Sequence, residues 1–130
     1  MGQLLFLTLD EVLQLHASRI ELYGGSHGVR DQGLLESALA QPSQSFGGTY
    51  LHEDMPAMAS AYLFHIVQNH PFIDGNKRTG AAAAIVFLKM NNVRLIPDED
   101  ALEQLVQAVA RGEVGKSEIA TFFRNHLAAP

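Results

Sequence analysis

The sequence predicts an all-α fold, a compact six-helix bundle with room for one short hairpin, and three observations predict it. Apolar residues recur at helical spacing in segments opened by Thr, Asp or Pro and closed by Gly, Asn or Pro. Residues 55–67 carry no charge and residues 79–88 are apolar around most of a helical circumference, which places that pair in the middle of a fold. With 130 residues, 47% hydrophobic and only five prolines, the chain can bury one core and not two, so residues 1–130 read as a single domain.

Each element has its own warrant. Residues 4–7 are a short apolar lead-in, and Thr8 with Glu11 three places on makes a capping box that starts the first helix. Leu9, Val12, Leu13, His16, Ile20 and Tyr23 give that helix one buried stripe, on which His16 reads as a satisfied core histidine; Gly24 and Gly25 stop it. After a loop over 24–30, a second helix over 31–40 is capped by Asp31, turns Leu34, Leu35, Ala38 and Leu39 inward, and ends before Pro42. Residues 42–53 mix turn formers with strand formers, and fit either a small hairpin or a plain interhelix loop.

The third helix runs from its cap Asp54 to Asn69 and the fourth from Asn76 to about Asn91, where small residues over 80–84 let another helix come close. Extended residues 93–96 lead to Pro97 and Asp98, which open a fifth helix with Leu102, Leu105, Val106 and Val109 on one face. Glu99, Asp100 and Glu103 lie in its first turns, where the helix dipole favours negative charge, so they need no metal to explain them. A last helix begins near Ser117 and buries Ile119, Phe122, Phe123 and Leu127.

Between the two central helices lies the polar stretch His70-Pro71-Phe72-Ile73-Asp74-Gly75-Asn76-Lys77-Arg78. Pro71 disfavours helical geometry at His70, and Gly75 frees the backbone just before the next helix. A helix N-terminus presents unpaired N–H groups and the positive end of a dipole, so the amides from about Gly75 to Arg78 form an anion cradle. Lys77 adds a compact charge and Arg78 a planar fork suited to phosphate oxygens. Asp74 is then the natural magnesium ligand, because that ion takes one or two carboxylates and completes its shell with water and substrate phosphates. His70 remains as the group that titrates near neutrality, the chemistry of a general base.

The same stretch resembles the signature of the Fic/Doc family, HxFx(D/E)GNxRxxR, with His70, Phe72, Asp74, Gly75, Asn76 and Arg78 in register. Two positions depart from it. Lys77 stands where the nucleotidyl-transferring Fic branch usually has glycine, and Ala81 replaces the final arginine. Both departures are similar to the death-on-curing, or Doc, branch. That resemblance implies the compact Fic/Doc helical fold with a short β-hairpin flap before the central helix, in which Phe46, Gly47, Thr49 and Tyr50 dock the target protein as an added strand. It also implies ATP as substrate with Mg2+, and His70, Asp74, Lys77 and Arg78 as the catalytic group. Gly75, Asn76, Lys77 and Arg78 hold the nucleotide and Asp74 the metal. The missing second arginine implies transfer of the γ-phosphate rather than AMP, with elongation factor Tu as the target known for the branch. Growth inhibition by such toxins is neutralised by an antitoxin in trans. The inhibitory pattern (S/T)xxxE(G/N) finds only Thr49 to Glu53 followed by Asp54, an accidental match.

Composition sets the outer limits. A net charge of −5 and a pI near 5.6 argue against nucleic acid as the principal partner. The absence of cysteine removes disulfides, thiolate zinc sites and thiol nucleophiles together. Residues 1–9 lack a basic n-region, Phe6 spoils a myristoylation pattern at Gly2, and residues 55–73 are too interrupted to span a membrane, so a cytoplasmic protein without a membrane partner is expected. Two readings compete with γ-phosphate transfer: nucleotidyl transfer to a protein hydroxyl, and a non-catalytic module whose loop binds an anion or acidic peptide. A metal centre of His52, Glu53, His65 and His70 lacks any HExxH-type spacing and carries little weight.

Overall fold

Side-chain caps open most of the helices where the sequence places them. The computed structural model describes residues 3–96 and 98–128, so Gly2 and Pro97 lie outside the described residues. In α1 (Leu9–Tyr23) the capping box is complete, with Thr8 N donating to Glu11 Oε1 at 2.8 Å and Glu11 N to Thr8 Oγ1 at 3.1 Å. Asp31 caps α2 (Gln32–Ala40), Asp54 caps α3 (Met55–Asn69) and Asp98 caps α5 (Glu99–Ala110), each accepting the amide of the third residue of its helix at 2.9 to 3.1 Å. The remaining two, α4 (Asn76–Met90) and α6 (Lys116–Asn125), start from Gly75 and Gly115. Strands β1 (Ser45–Phe46) and β2 (Thr49–Tyr50) form an antiparallel hairpin, with Gly47 at φ 58 and Gly48 at φ 82, both positive as a two-residue turn of this hand requires.

The core is built around α3, whose buried residues include Met58, Tyr62, Leu63, Ile66 and Val67, and α4 lies beside it with Ala83, Ala84, Phe87 and Leu88 buried. Helix α6 adds Ile119 and Phe123, α2 adds Leu35 and Ala38, and α1 adds Val12. At Gly80 an added Cβ would lie 3.0 Å from Val67 Cγ2 and 3.2 Å from the Leu63 carbonyl oxygen, so the small-residue row does admit the neighbouring helix. Residues 93–96 are extended, Leu95 bridging Leu127 and Ile96 N donating to His126 O at 2.6 Å. No described helix is long and apolar enough to cross a membrane.

Two positions predicted to face inward are exposed. Tyr23, the last residue of α1, is 58% exposed, with Arg19 and Arg78 over its ring in place of apolar neighbours, and Leu34 faces outward at the first turn of α2. Phe122 and Leu127 are half-buried; α6 starts at Lys116, one residue before Ser117, and ends at Asn125, so Leu127 lies past the helix and bridges Leu95.

Candidate functional site

The turn between α3 and α4 is reversed within six residues, and its geometry is fixed by side chains turned inward. His70 ends α3 with φ 51 and ψ 53, left-handed, and its N–H still donates to Ile66 O at 3.2 Å. Phe72 is fully buried and stacks on His16, ring centroids 3.8 Å apart and planes 5° apart. His16 in turn donates through Nε2 to the Asp74 carbonyl oxygen at 2.8 Å, so this core histidine is satisfied and braces the turn. Gly75 stands at φ 79, and α4 then begins with no side-chain cap. The leading amides of α4 are therefore left without the carboxylate or hydroxyl that caps α1, α2, α3 and α5.

A cavity of about 610 Å3 opens over those amides, and His70, Asp74, Gly75, Asn76, Lys77 and Arg78 all line it. Its far wall is Glu103, Gln107 and Ala110 of α5. Asp74 is exposed, with Oδ2 accepting from Ser26 N at 3.1 Å and Oδ1 from Gly75 N at 2.9 Å. Those two backbone donors, with a smaller contribution from the charge on Arg78, hold its carboxyl below the usual carboxylate range. Among the described residues no three His, Cys, Asp or Glu side chains converge on one point. One ionised carboxylate beside an open amide cradle fits a magnesium ion that takes the rest of its shell from water and phosphate.

Lys77 Nζ donates to Gln107 Oε1 at 3.2 Å, and the Arg78 guanidinium lies 4.7 Å from the centroid of the exposed Tyr23 ring. Asn76 is only 4% exposed, and its side chain is occupied within the turn. Its Oδ1 accepts from Phe72 N at 2.9 Å, while Nδ2 donates to Phe72 O at 3.0 Å and lies 3.1 Å from His70 Nδ1. What Asn76 offers a ligand is thus its backbone N–H. The Phe72 contacts orient the carboxamide, so Nδ1 of His70 accepts and the neutral ring carries its proton on Nε2. Taking a proton at Nε2 requires the ring's own proton to sit on Nδ1, which in turn requires the ring to turn off the Asn76 donor.

The hairpin residues do not line this cavity. Phe46 is 82% exposed, and Tyr50 packs against Phe6 with centroids 5.8 Å apart. Glu53 faces Arg124 at 3.4 Å rather than the α4 amides, and His52 and His65 face Lys116 rather than His70. Ala81, where the signature has its second arginine, packs on the core.

Spacing alone does not reveal Gly25, Ser26 and Arg30. An added Cβ on Gly25 would lie 2.6 Å from Asp74 Oδ2, so the carboxylate's place depends on that glycine. Arg30 Nε donates to His70 O at 2.7 Å and its Nη2 to Asn69 O at 3.0 Å. The available signal was three glycines, Gly24, Gly25 and Gly28, within five positions of a loop, where a helix stop needs one.

The model of the Fic/DOC family matches residues 6–88, which carry α1 to α3, the hairpin and most of α4. Toxin Doc of Mycolicibacterium smegmatis is 38% identical over 109 residues, covering 82% of this chain and 84% of the toxin. Protein kinase doc of Escherichia phage P1 is 30% identical over 115 residues, covering 88% of this chain and 90% of the kinase. The turn, its signature residues and these matches over most of the length lead to one conclusion: the chain belongs to the Fic/Doc family, on its Doc side.

Proposed function

We propose that this protein is a Doc-like toxin, a protein kinase that transfers the γ-phosphate of ATP to a hydroxyl of a protein target. The observation that carries the reading is the uncapped start of α4, flanked by Lys77 and Arg78 and sharing one cavity with the exposed carboxylate of Asp74 and the ring of His70. The target oxygen attacks the γ-phosphorus as the bond to the bridging oxygen breaks; ADP leaves, and the hydroxyl proton passes to Nε2 of His70 once the ring has turned from Asn76 and carries its own proton on Nδ1. The α4 amides with Lys77 and Arg78 balance charge on the phosphoryl oxygens. Asp74 would hold Mg2+, which supplies charge neutralisation on the phosphates when bound.

A kinase-named relative and Ala81 in place of an arginine favour the γ over the α position. By family, elongation factor Tu is the target, translation and growth are what it inhibits, an antitoxin in trans is its regulator, and the cytoplasm is its place of action. Phe46, Gly47, Thr49 and Tyr50 would align the target segment against the hairpin edge. The test is incubation with purified elongation factor Tu and ATP labelled at either the α or the γ position. Label should pass from the γ position only, and His70→Ala should abolish it. Transfer of α label would replace the reading with nucleotidyl transfer, and His70→Ala retaining full transfer would remove the imidazole from the reaction.

A further inference from the structure

His70 sits in a backbone conformation that side chains other than glycine rarely adopt, and only Asn92 among the other described non-glycine residues has a positive φ. Such a residue persists only where its surroundings over-determine it. Local sequence does part of this, since Pro71 excludes a continued right-handed helix. Helix α3 does not do the rest, because no basic residue in its last turn answers the negative end of its dipole.

The missing cation arrives from the α1–α2 loop. Arg30 spreads its fork over two successive carbonyls at the end of α3, those of Asn69 and His70, while its own N–H donates to Pro71 O at 2.7 Å. One residue thereby grips three consecutive carbonyl oxygens around the left-handed position. The flanking chain lies along the turn as a splint: Asp31 N donates to Pro71 O at 3.0 Å, Ile73 N to Gly28 O at 3.1 Å, and Val29 bridges Phe72.

We propose that Arg30 is a positioning residue for His70: its guanidinium, forked across the Asn69 and His70 carbonyls, holds the backbone that aims the imidazole into the cavity. Arg30 is not among the residues lining that cavity, so it acts through His70 and not on a bound nucleotide. A planar fork serves two adjacent carbonyls at once, which a lysine ammonium cannot reproduce from one place. The consequence for catalysis rests on the proposed reaction; the consequence for the ring does not.

Two measurements on the full chain test it, in Arg30→Ala and Arg30→Lys. The first follows the ring nitrogens of 15N-histidine-labelled protein, the His70 signals being assigned by their loss in His70→Ala. In Arg30→Ala the His70 signals should move and lose the hydrogen-bonded character of Nδ1, with the His16 signals unchanged; Arg30→Lys should show a smaller displacement. The second follows transfer from γ-labelled ATP: kcat should fall about tenfold with KM for ATP held within twofold, and Arg30→Lys should recover part of the loss. Unmoved His70 signals in Arg30→Ala overturn the proposal, as does a raised KM with unchanged kcat. Should Arg30→Ala not fold, the spectrum of Arg30→Lys decides in the same way. If the parent transfers no phosphate to any substrate, the kinase reading fails while the ring signals still judge Arg30.

Discussion

Asp74 shows how one side chain's place is set by residues distant in sequence. Its carboxylate lies against Gly25, which stands at φ +118 with room for no Cβ, and takes an amide from Ser26. Gly25→Ala should therefore strain its own backbone and push the carboxylate off its seat. The magnesium concentration giving half-maximal transfer should rise severalfold, while Tm falls by a few degrees, as expected for a loss of about 1 kcal/mol in a domain of this size. A magnesium titration beside a melting curve checks both. The residues from His70 to Arg78 were legible because their chemistry is crowded into one run. Gly25, Ser26 and Arg30 were not, because the loop's path across the turn brings them there, and no periodicity encodes that path. Asn76 was legible as part of the turn that lines the cavity but not in its orientation: its carboxamide looks inward, to Phe72 and His70.

The pairing of α3 with α4 fixes where the turn between them stands, and Gly80 is a point of close approach. Placing alanine there gains helix propensity of about 1 kcal/mol, yet its Cβ would meet Val67 Cγ2 at 3.0 Å and the Leu63 carbonyl at 3.2 Å. A branched side chain cannot be accommodated by moving backbone atoms of α3 without separating the helices. Gly80→Val should cost about 2–3 kcal/mol in a denaturant titration, with the loss shared between overpacking and the end of close approach. The row of small residues made this contact readable in the sequence, and the helix ends were readable from their caps. The hairpin was ambiguous because two-residue strands carry no period, and only the resemblance favoured it. Its function is open to a clean test, since Phe46 is 82% exposed and leaves the fold almost untouched when changed. With the hairpin as docking edge, Phe46→Ser should raise KM for the protein target at least fivefold, leaving KM for ATP and Tm unchanged.

At the scale of the whole molecule, burial is uneven in one titratable cluster where α3, α6 and the segment after the hairpin meet. Lys116 Nζ at the start of α6 lies 3.1 Å from His65 Nε2 and 3.3 Å from His52 Nε2. Burial first, and the Lys116 charge second, push both imidazoles down, His65 to about 4. The periodic apolar stripes made the bundle legible, but this cluster was not, because His52, His65 and Lys116 are joined only by the packing of three separate segments. A histidine whose folded pKa is depressed binds fewer protons folded than unfolded, so stability is complete above the unfolded value of about 6.5 and is lost as pH falls toward 4. Each pKa unit corresponds to about 1.4 kcal/mol, but the pair is half-exposed and partly screened, which leaves an expected loss of about 1–2 kcal/mol across that window. Melting curves between pH 7 and pH 4.5 should show Tm falling by several degrees. In His65→Gln, which keeps an acceptor for Lys116 and removes the titration, the slope should flatten by about half. An unchanged slope in that variant would place the acid sensitivity elsewhere than His65; the Asp54–Arg124 pair does not supply it in this window, since Arg124 holds that carboxyl low and their bond weakens only on protonation at still lower pH.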